Sequence, residues 1–236
     1  MVSDAGLAGG SARVGVIVPA AGSGVRLGED SPKAFVDLGG STILERCVSG
    51  VVGAGIDAFV VVVVPAELVG HARELLPGVT VVPGGAHRSE SVRAGLDACG
   101  DADVILVHDA ARPLTPPGVF RRVLDAVLAG HEAVVPGLPV VDTLKRVDTL
   151  KRVVPGDGAE AVTETVDREP LRAVATPQGF TRDALLRAHA DDGGLATDDA
   201  GLAERCGIEV AVVPGDALGF KITTPWDLRI ARMLVS

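Results

Sequence analysis

The sequence predicts an α/β fold: a single Rossmann-like domain with a mostly parallel sheet flanked by helices, and with a protruding β-hairpin arm. Apolar runs of strand length alternate along the chain with amphipathic stretches, which is typical of βαβ units. A length of 236 residues and a hydrophobic content of 47% suit one domain with a sizeable core. One exact internal repeat interrupts this alternation and predicts the arm.

Short apolar runs bounded by turn residues predict the strands of the sheet. Amphipathic segments separate them, so successive strands are expected to be parallel, with ligands gathering at their carboxyl ends. The predicted strands are 13–18, 58–64, 79–82, 104–107 and 133–135.

Threonines at the start of amphipathic stretches predict the helix N-termini. Thr42 with Glu45 forms the pattern of a capping box. Thr115 and Thr224 each precede a proline, which favours a cap followed by proline at the first helical position. Thr181 is expected to open another helix.

The repeat predicts the hairpin arm. Residues 141–146 read VDTLKR, and residues 147–152 repeat them without change. Because six is even, a strand would keep each repeated side chain on the same face, whereas a helix would not. We predict strands over 140–154 and 161–166, joined by a turn, within an arm insertion at 139–169. A two-stranded hairpin is marginal alone, so we expect packing against a second subunit; a loose surface hairpin is the alternative.

Composition excludes several classes of partner. Lysine and arginine total 22 against 31 acidic residues, a net charge of −9, which argues against nucleic acid and anionic membranes. Residues 1–12 are small and polar, without a signal-peptide pattern, and are expected to be a flexible N-terminus before a domain at 13–236. Cys47, Cys99 and Cys206 lack metal-ligand spacing and suit a reducing cytoplasm.

The loop after the first strand is the strongest functional signal. Glycines at 22, 24 and 28 let the backbone approach a bulky anion, and Arg26 and Lys33 bring positive charge. The spacing matches neither a P-loop nor a dinucleotide fingerprint, and it suits a triphosphate. An ordinary βα turn with solvated cations is the alternative.

Two further clusters follow predicted strands. In His108-Asp109-Ala110-Ala111-Arg112-Pro113, Asp109 could orient a hydroxyl or help to hold a divalent ion, and Arg112 could meet a phosphate. A structural pair between Asp109 and Arg112 is about equally compatible with this segment. In residues 83–91, backbone donors and the Ser91 hydroxyl could read a base, unless Ser89 simply caps a helix. Lys221, between apolar neighbours, either serves the site or snorkels from a strand edge.

Taken in order, the motifs resemble one family. PAAGxGxR with a Pro-Lys pair, GGxxRxxSV, HDAARP, DTLK, TPQ, TDD and FKIT occur as they do in the 2-C-methyl-D-erythritol 4-phosphate cytidylyltransferase family of the non-mevalonate isoprenoid pathway. The resemblance covers position 14 to the C-terminus. It implies a nucleotidyltransferase that uses CTP and Mg²⁺, in a homodimer whose arm completes the partner's site.

The resemblance also implies residue roles. Arg26 and Lys33 would stabilise the pentacoordinate α-phosphate, and Arg168 and Lys221 would hold the substrate phosphate for attack. The cytidine nucleotide would be surrounded by Pro19, Ala20, Ala21, Gly22, Ser23, Gly24, Gly85, Ser91 and Ala110. The alcohol pocket would be lined by Asp109, Arg112, Thr143, Thr176 and Thr197. The repeat leaves Thr149 as an alternative to Thr143, and no metal ligand is assigned.

Three rival functions are compatible with parts of this pattern. Ribitol 5-phosphate cytidylyltransferases use the same chemistry on another alcohol phosphate. Sugar 1-phosphate nucleotidylyltransferases share the glycine, arginine and lysine loop but not HDAARP and TPQ. A catalytically idle nucleotide-binding protein would keep the loop and could lose the cations. Since a phosphate nucleophile is already anionic, the expected reaction needs no serine nucleophile and no histidine base.

Overall fold

The computed structural model describes residues 12–22, 27, 31–148, 161–190 and 198–236. They form an eight-stranded sheet and a separate two-stranded hairpin. The sheet comprises β1 (Val14–Pro19), β2 (Ala58–Val64), β3 (Thr80–Pro83), β4 (Val104–Val107), β5 (Ala133–Pro139), β8 (Arg172–Val174), β9 (Gln178–Thr181) and β10 (Val210–Pro214), and the hairpin comprises β6 (Leu144–Asp148) and β7 (Ala161–Val166).

The strand order is β10-β5-β9-β4-β1-β2-β3, with β8 also paired to β5. β1 is central and runs parallel to both β2 and β4, which confirms the predicted mostly parallel sheet. β9 is antiparallel to β4 and β5 and lies between them. Sequence patterning missed β8, β9 and β10. β9 has a single large apolar side chain, that of Phe180, so its strand character comes from its two neighbours rather than from its own pattern.

Seven helices are described: α1 (Ile43–Gly53), α2 (Val69–Leu75), α3 (Arg88–Ala98), α4 (Pro117–Leu128), α5 (Arg182–Ala190), α6 (Asp199–Arg205) and α7 (Pro225–Val235). The capping box at Thr42 is confirmed, and Thr224 forms another with Asp227. The predicted cap at Thr115 is wrong: α4 begins two residues later, and the Thr115 hydroxyl donates to the Arg112 carbonyl.

Alternation along the strands divides the core between the two faces of the sheet. Val16 and Val18 of β1 pack on one face with residues of α1 and α4, including Cys47 and Phe120. Ile17 packs on the other face with residues of α3 and α5. Both faces are therefore covered by helices, and what is left open is the edge formed by the strand ends.

The arm is an exposed hairpin whose first strand is shorter than predicted. β6 pairs with β7 in antiparallel register with an irregularity after Arg146. Arg146 pairs with Glu164 at 2.8 Å, and Val147 and Val162 are exposed on the hairpin. The predicted strand over 140–154 is too long at its start, because regular pairing begins at Leu144; positions 149–154 lie outside the described residues.

The expected flexible N-terminus also falls outside the described residues, apart from position 12. The domain bounds of 13–236, with an arm insertion at 139–169, therefore stay a prediction. Among the helices that the structure describes, none has both the length and the apolar character needed to cross a bilayer.

Candidate active site

A cavity of about 400 Å³ opens at the carboxyl ends of β1, β3 and β4. The loops that follow these strands form its walls, and a segment just before α7 closes it. Its lining residues are Pro19, Ala20, Ala21, Gly22, Lys33, Ala34, Gly85, Ala86, His87, Arg88, Ser91, Asp109, Ala110, Ala111 and Lys221.

Backbone hydrogen bonds continue past the strand ends and hold the three loops together. Because these bonds extend the sheet ladder, the loop backbones have little freedom where they enter the cavity. The Ala20 amide donates to the Val63 carbonyl at 2.7 Å, and the Gly84 amide donates to the Val64 carbonyl at 2.8 Å. The His108 amide donates to the Ile17 carbonyl at 2.8 Å, and the Ala110 amide donates to the Pro19 carbonyl at 3.3 Å.

Glycine is required where two of these loops touch. A Cβ on Gly84 would lie 2.7 Å from the Ser91 hydroxyl and 3.1 Å from the Ala21 Cβ. The Glu90 carboxylate accepts a hydrogen bond from the Ala86 amide at 2.6 Å and thereby shapes the turn into α3. The Gly-Gly pair thus brings the loop after β3 against the loop after β1.

Asp109 is the electrostatic centre of the cavity. Its Oδ2 accepts a hydrogen bond from the Lys221 ammonium at 2.7 Å, and its Oδ1 lies 3.4 Å from the Arg88 guanidinium. Burial alone would raise the pKa of Asp109, but the charges of Arg88 and Lys221 outweigh burial and lower the pKa to about 2. The carboxylate is therefore ionised at neutral pH and holds two cations beside the cavity.

A buried histidine supports Asp109 from behind. The Thr176 hydroxyl accepts a hydrogen bond from the Asp109 amide at 3.1 Å and lies 2.9 Å from His108 Nδ1. His108 Nε2 lies 3.2 Å from the Arg112 carbonyl, which can only accept, so the imidazole proton belongs on Nε2. Burial lowers the pKa of His108 to about 4, which keeps it neutral and keeps this hydrogen-bond chain in one arrangement.

Arg112 anchors the segment that carries Lys221. Its guanidinium donates to the Gly219 carbonyl at 2.7 Å, and the Ile222 amide donates to the Ala111 carbonyl at 2.8 Å. Lys221 is held on both sides and points its ammonium to Asp109, so it is placed by the fold rather than left at a strand edge.

Lys33 enters the cavity from a short 3-10 turn, Lys33–Phe35, that follows Pro32. The next residue, Ala34, is buried in the core, which sets the direction of the lysine side chain. Lys33, Arg88 and Lys221 thus approach one cavity from three separate parts of the chain.

The sequence model of the 2-C-methyl-D-erythritol 4-phosphate cytidylyltransferases matches residues 14–236. The chain belongs to this family. It is 56% identical over 230 residues to the 2-C-methyl-D-erythritol 4-phosphate cytidylyltransferase of Rhodococcus jostii, with 97% of this chain and 98% of the relative covered. The Nocardia farcinica enzyme of the same name is 55% identical over 222 residues, covering 93% of this chain and 92% of the relative.

A solved structure agrees with this assignment. The crystal structure of 2-C-methyl-D-erythritol 4-phosphate cytidylyltransferase from Thermus thermophilus superposes with a TM-score of 0.75 at 38% identity, covering 94% of this chain and 98% of that one. The family and the fold expected from the motifs are therefore both confirmed.

In this member of the cytidylyltransferase family, most of the predicted nucleotide surround comes together in the cavity, along with part of the predicted catalytic and alcohol sites. Arg112 and Thr176 do not line the cavity; they lie behind Asp109. Arg26, Ser23, Gly24 and Thr197 lie outside the described residues. The predicted residues that line the cavity are Pro19, Ala20, Ala21, Gly22, Lys33, Gly85, Ser91, Asp109, Ala110 and Lys221.

Two predicted residues lie elsewhere in the cytidylyltransferase chain. Thr143 and Arg168 line a separate cleft on the arm together with Thr165, Val166 and Asp167. The exposed Arg168 side chain donates to the Val141 carbonyl. A single chain therefore does not bring these two residues into the cavity with Lys221.

Sequence reasoning missed Arg88. The alternative of a structural pair between Asp109 and Arg112 is wrong, because Asp109 pairs with Arg88 and Lys221 instead. Arg88 also binds Asp199, with Nη1 2.8 Å from Oδ2. Both residues lie within family motifs, GGxxR and TDD, which was the signal available for finding them.

The cavity offers few donors for the metal expected of a cytidylyltransferase. Within the described residues no group of three or more acidic, histidine or cysteine side chains could enclose an ion. Of the described cavity residues, only Asp109 carries a carboxylate, and it is already paired with cations. Mg²⁺ bound mainly through substrate phosphates needs at most one or two carboxylates, so Asp109 fits such an ion as a single protein ligand.

Proposed function

We propose that this chain transfers the cytidylyl group of CTP to 2-C-methyl-D-erythritol 4-phosphate, releasing pyrophosphate. An oxygen of the alcohol's phosphate attacks the α-phosphorus of CTP and forms the new P–O bond. The bond between the α-phosphorus and the bridging oxygen breaks, and pyrophosphate leaves with its electron pair. The convergence of Lys33, Arg88 and Lys221 around one cavity carries this proposal, since two anionic reactants have to meet there.

Alignment and charge neutralisation then supply the catalysis. The nucleotide binds against the loops after β1 and β3, with Gly22, Gly85 and Ser91 in contact. Lys33, together with Arg26, stabilises the charge that develops on the α-phosphate. Lys221 orients the attacking phosphate, and its pair with Asp109 pre-organises it for this task.

Mg²⁺ belongs to this proposal as a companion of the triphosphate. It would be held by substrate phosphate oxygens and Asp109, and it supplies neutralisation of phosphate charge when bound. The reaction uses CTP, so we place the protein in the cytoplasm, where its free Cys47, Cys99 and Cys206 are stable.

We also propose a homodimer in which the arm of one subunit brings Thr143 and Arg168 to the cavity of the other. The support is that these residues lie apart from their own cavity, on a hairpin too small to be stable alone. Equilibrium sedimentation is expected to give twice the chain mass, and a monomer at micromolar concentration would refute the arrangement.

Subunit complementation tests the shared site directly. K33A and R168A homodimers are each expected to be nearly inactive. Mixing them through mild denaturation should restore about one quarter of the wild-type activity, because half of the dimers are mixed and one of their two sites is intact. In the control, wild type is mixed with the double variant K33A/R168A, and activity should fall to about half that of the wild type added, because neither site of a mixed dimer is intact. No recovery in the first mixture, or no loss in the control, would place Arg168 in its own cavity.

The substrate assignment is tested by pyrophosphate release from each of the four nucleoside triphosphates. Each is combined with 2-C-methyl-D-erythritol 4-phosphate or ribitol 5-phosphate, with and without Mg²⁺. Turnover is expected with CTP and the methylerythritol phosphate. A preference for ribitol 5-phosphate would assign the rival activity, and nucleotide binding without turnover of any pair would indicate an idle binding protein.

A further inference from the structure

Behind the cavity wall lies a buried pair, Asp199 and His189, to which the proposed reaction gives no role. Asp199 is the first residue of α6 and is fully buried. Its Oδ1 lies 2.9 Å from Nε2 of His189, near the end of α5, and its Oδ2 lies 2.8 Å from Nη1 of Arg88, the first residue of α3. Three helix ends therefore meet at one buried carboxylate.

The arrangement leaves Arg88 shared between two carboxylates. The guanidinium is 2.8 Å from the buried Asp199 but 3.4 Å from Asp109, on the cavity side. Burial would lower the pKa of Arg88, but the charges of Asp199 and Asp109 outweigh it and raise the pKa. The shorter pair is also the more buried, so Asp199 holds the guanidinium back from Asp109.

Further hydrogen bonds hold Asp199 and His189 in place from independent elements. Gln178 of β9 accepts from the Ala200 amide at 3.0 Å and donates to Asp198 at 2.7 Å. Arg93 of α3 donates to the His189 carbonyl at 2.7 Å. The position of the Asp199 carboxylate is therefore set by the backbone around it and not by Arg88 alone.

We propose that Asp199 and His189 are positioning residues that hold Arg88 in the cavity wall, where it binds a phosphate group of a reactant. A guanidinium has five N–H donors, and its pairs with two carboxylates leave donors for phosphate oxygens. Without Asp199, Arg88 would close onto Asp109 and compete with Lys221 for the same carboxylate. His189 donates to Asp199 and keeps its carboxylate turned toward Arg88.

A double-mutant cycle tests this proposal, which rests on the proposed function because it uses turnover as a measure. D199N is expected to lower kcat/KM by about 10- to 100-fold, the loss typical of a misplaced binding group. In an R88M background the same change should alter kcat/KM by less than about twofold, because Asp199 acts through Arg88. Effects that multiply in the double variant would overturn the proposal.

Two His189 variants separate positioning from folding. H189Q retains a terminal N–H donor and should keep activity within about threefold of wild type, whereas H189L should resemble D199N. Equal activities for these two variants, at equal melting temperatures, would overturn the role of His189. This pair also decides the proposal if D199N does not fold.

Direct binding keeps failure of this inference distinct from failure of the proposed function. Calorimetric titration of CTP and of the alcohol phosphate into D199N should show weakened binding of one of them, whichever reactant Arg88 contacts. Unchanged affinities and unchanged turnover relative to wild type would overturn the positioning role. Wild-type protein that binds CTP without turning over any alcohol phosphate would instead refute the proposed function, while the binding measurements would still test the role of Asp199.

Discussion

The cavity and the arm differ in how firmly the rest of the chain holds them in place. The cavity lies at the edge of an eight-stranded sheet, its loops are held by backbone hydrogen bonds, and its central carboxylate is buried and paired. The arm is a single hairpin with exposed valines and an exposed ion pair. The difference shows that one chain is sufficient to bring Lys33, Arg88 and Lys221 together. The arm residues, in contrast, have few contacts with the rest of the same chain.

The largest difference is expected in stability. Phe180 of β9 is fully buried between helices and strands, so F180A should lower the free energy of unfolding by about 3–5 kcal/mol. V162A on the arm, where the side chain is 59% exposed, should change it by less than about 0.5 kcal/mol. Chemical denaturation of both variants measures the contrast, and a large loss for V162A would show that the arm is buried in an assembly.

The second prediction concerns the turnover number of a variant that lacks one cavity cation. K33A should lower kcat by about 100- to 1,000-fold, near 3 kcal/mol, since one preorganised cation is removed from the transition state. Folding and CTP binding should largely survive. R187A, which breaks an exposed pair with Glu132, is the matched control and should retain wild-type turnover. Normal pyrophosphate release by K33A would refute the assigned role.

A third prediction follows from the buried His108. Its folded-state pKa of about 4 lies below the usual histidine value of 6.5, so the unfolded chain binds more protons between these values. The contribution of the neutral, buried His108 to the free energy of unfolding is therefore complete above pH 6.5, and it is lost as the pH falls toward 4. Between pH 7 and pH 5 the loss should be about 2 kcal/mol.

Urea denaturation at the two pH values measures this loss, and H108Q serves as the reference. H108Q is expected to be less stable at neutral pH, because Phe120 packs against the His108 ring, and to show a flatter pH dependence. An equal pH dependence in both proteins would contradict the assignment of the loss to His108.

A small effect is also predicted for the arm ion pair. Arg146 and Glu164 are both more than half exposed, so replacing either with alanine should change the free energy of unfolding by less than about 1 kcal/mol. A double-mutant cycle measures their coupling at low and at high salt. A strong coupling that survives high salt would mean that the pair is shielded by another subunit.

The cavity was more predictable from sequence than the arm geometry because its signals are local. Glycines directly after a strand predicted a phosphate loop with Lys33 as one of its cations, and Lys221 was singled out by its apolar neighbours. The partner of Asp109 was not predictable in this way. Arg88 and Arg112 both follow strands, and which guanidinium reaches the carboxylate depends on where α3 begins and on how Gly219 packs.

Non-local pairing explains the other errors. β9 lies between β4 and β5 although its own sequence has little strand character, so the position of Gln178 behind the cavity could not be anticipated. The Thr143 and Arg168 positions were identified from family motifs, and only the fold shows that they lie apart from the cavity.

Lys221 and Asp109 meet although 112 positions separate them along the chain. During synthesis on the ribosome, the cavity therefore lacks the segment that carries Lys221 until nearly the whole sequence has been made. Stabilisation by a ligand that contacts both residues will therefore report whether these two distant segments have come together.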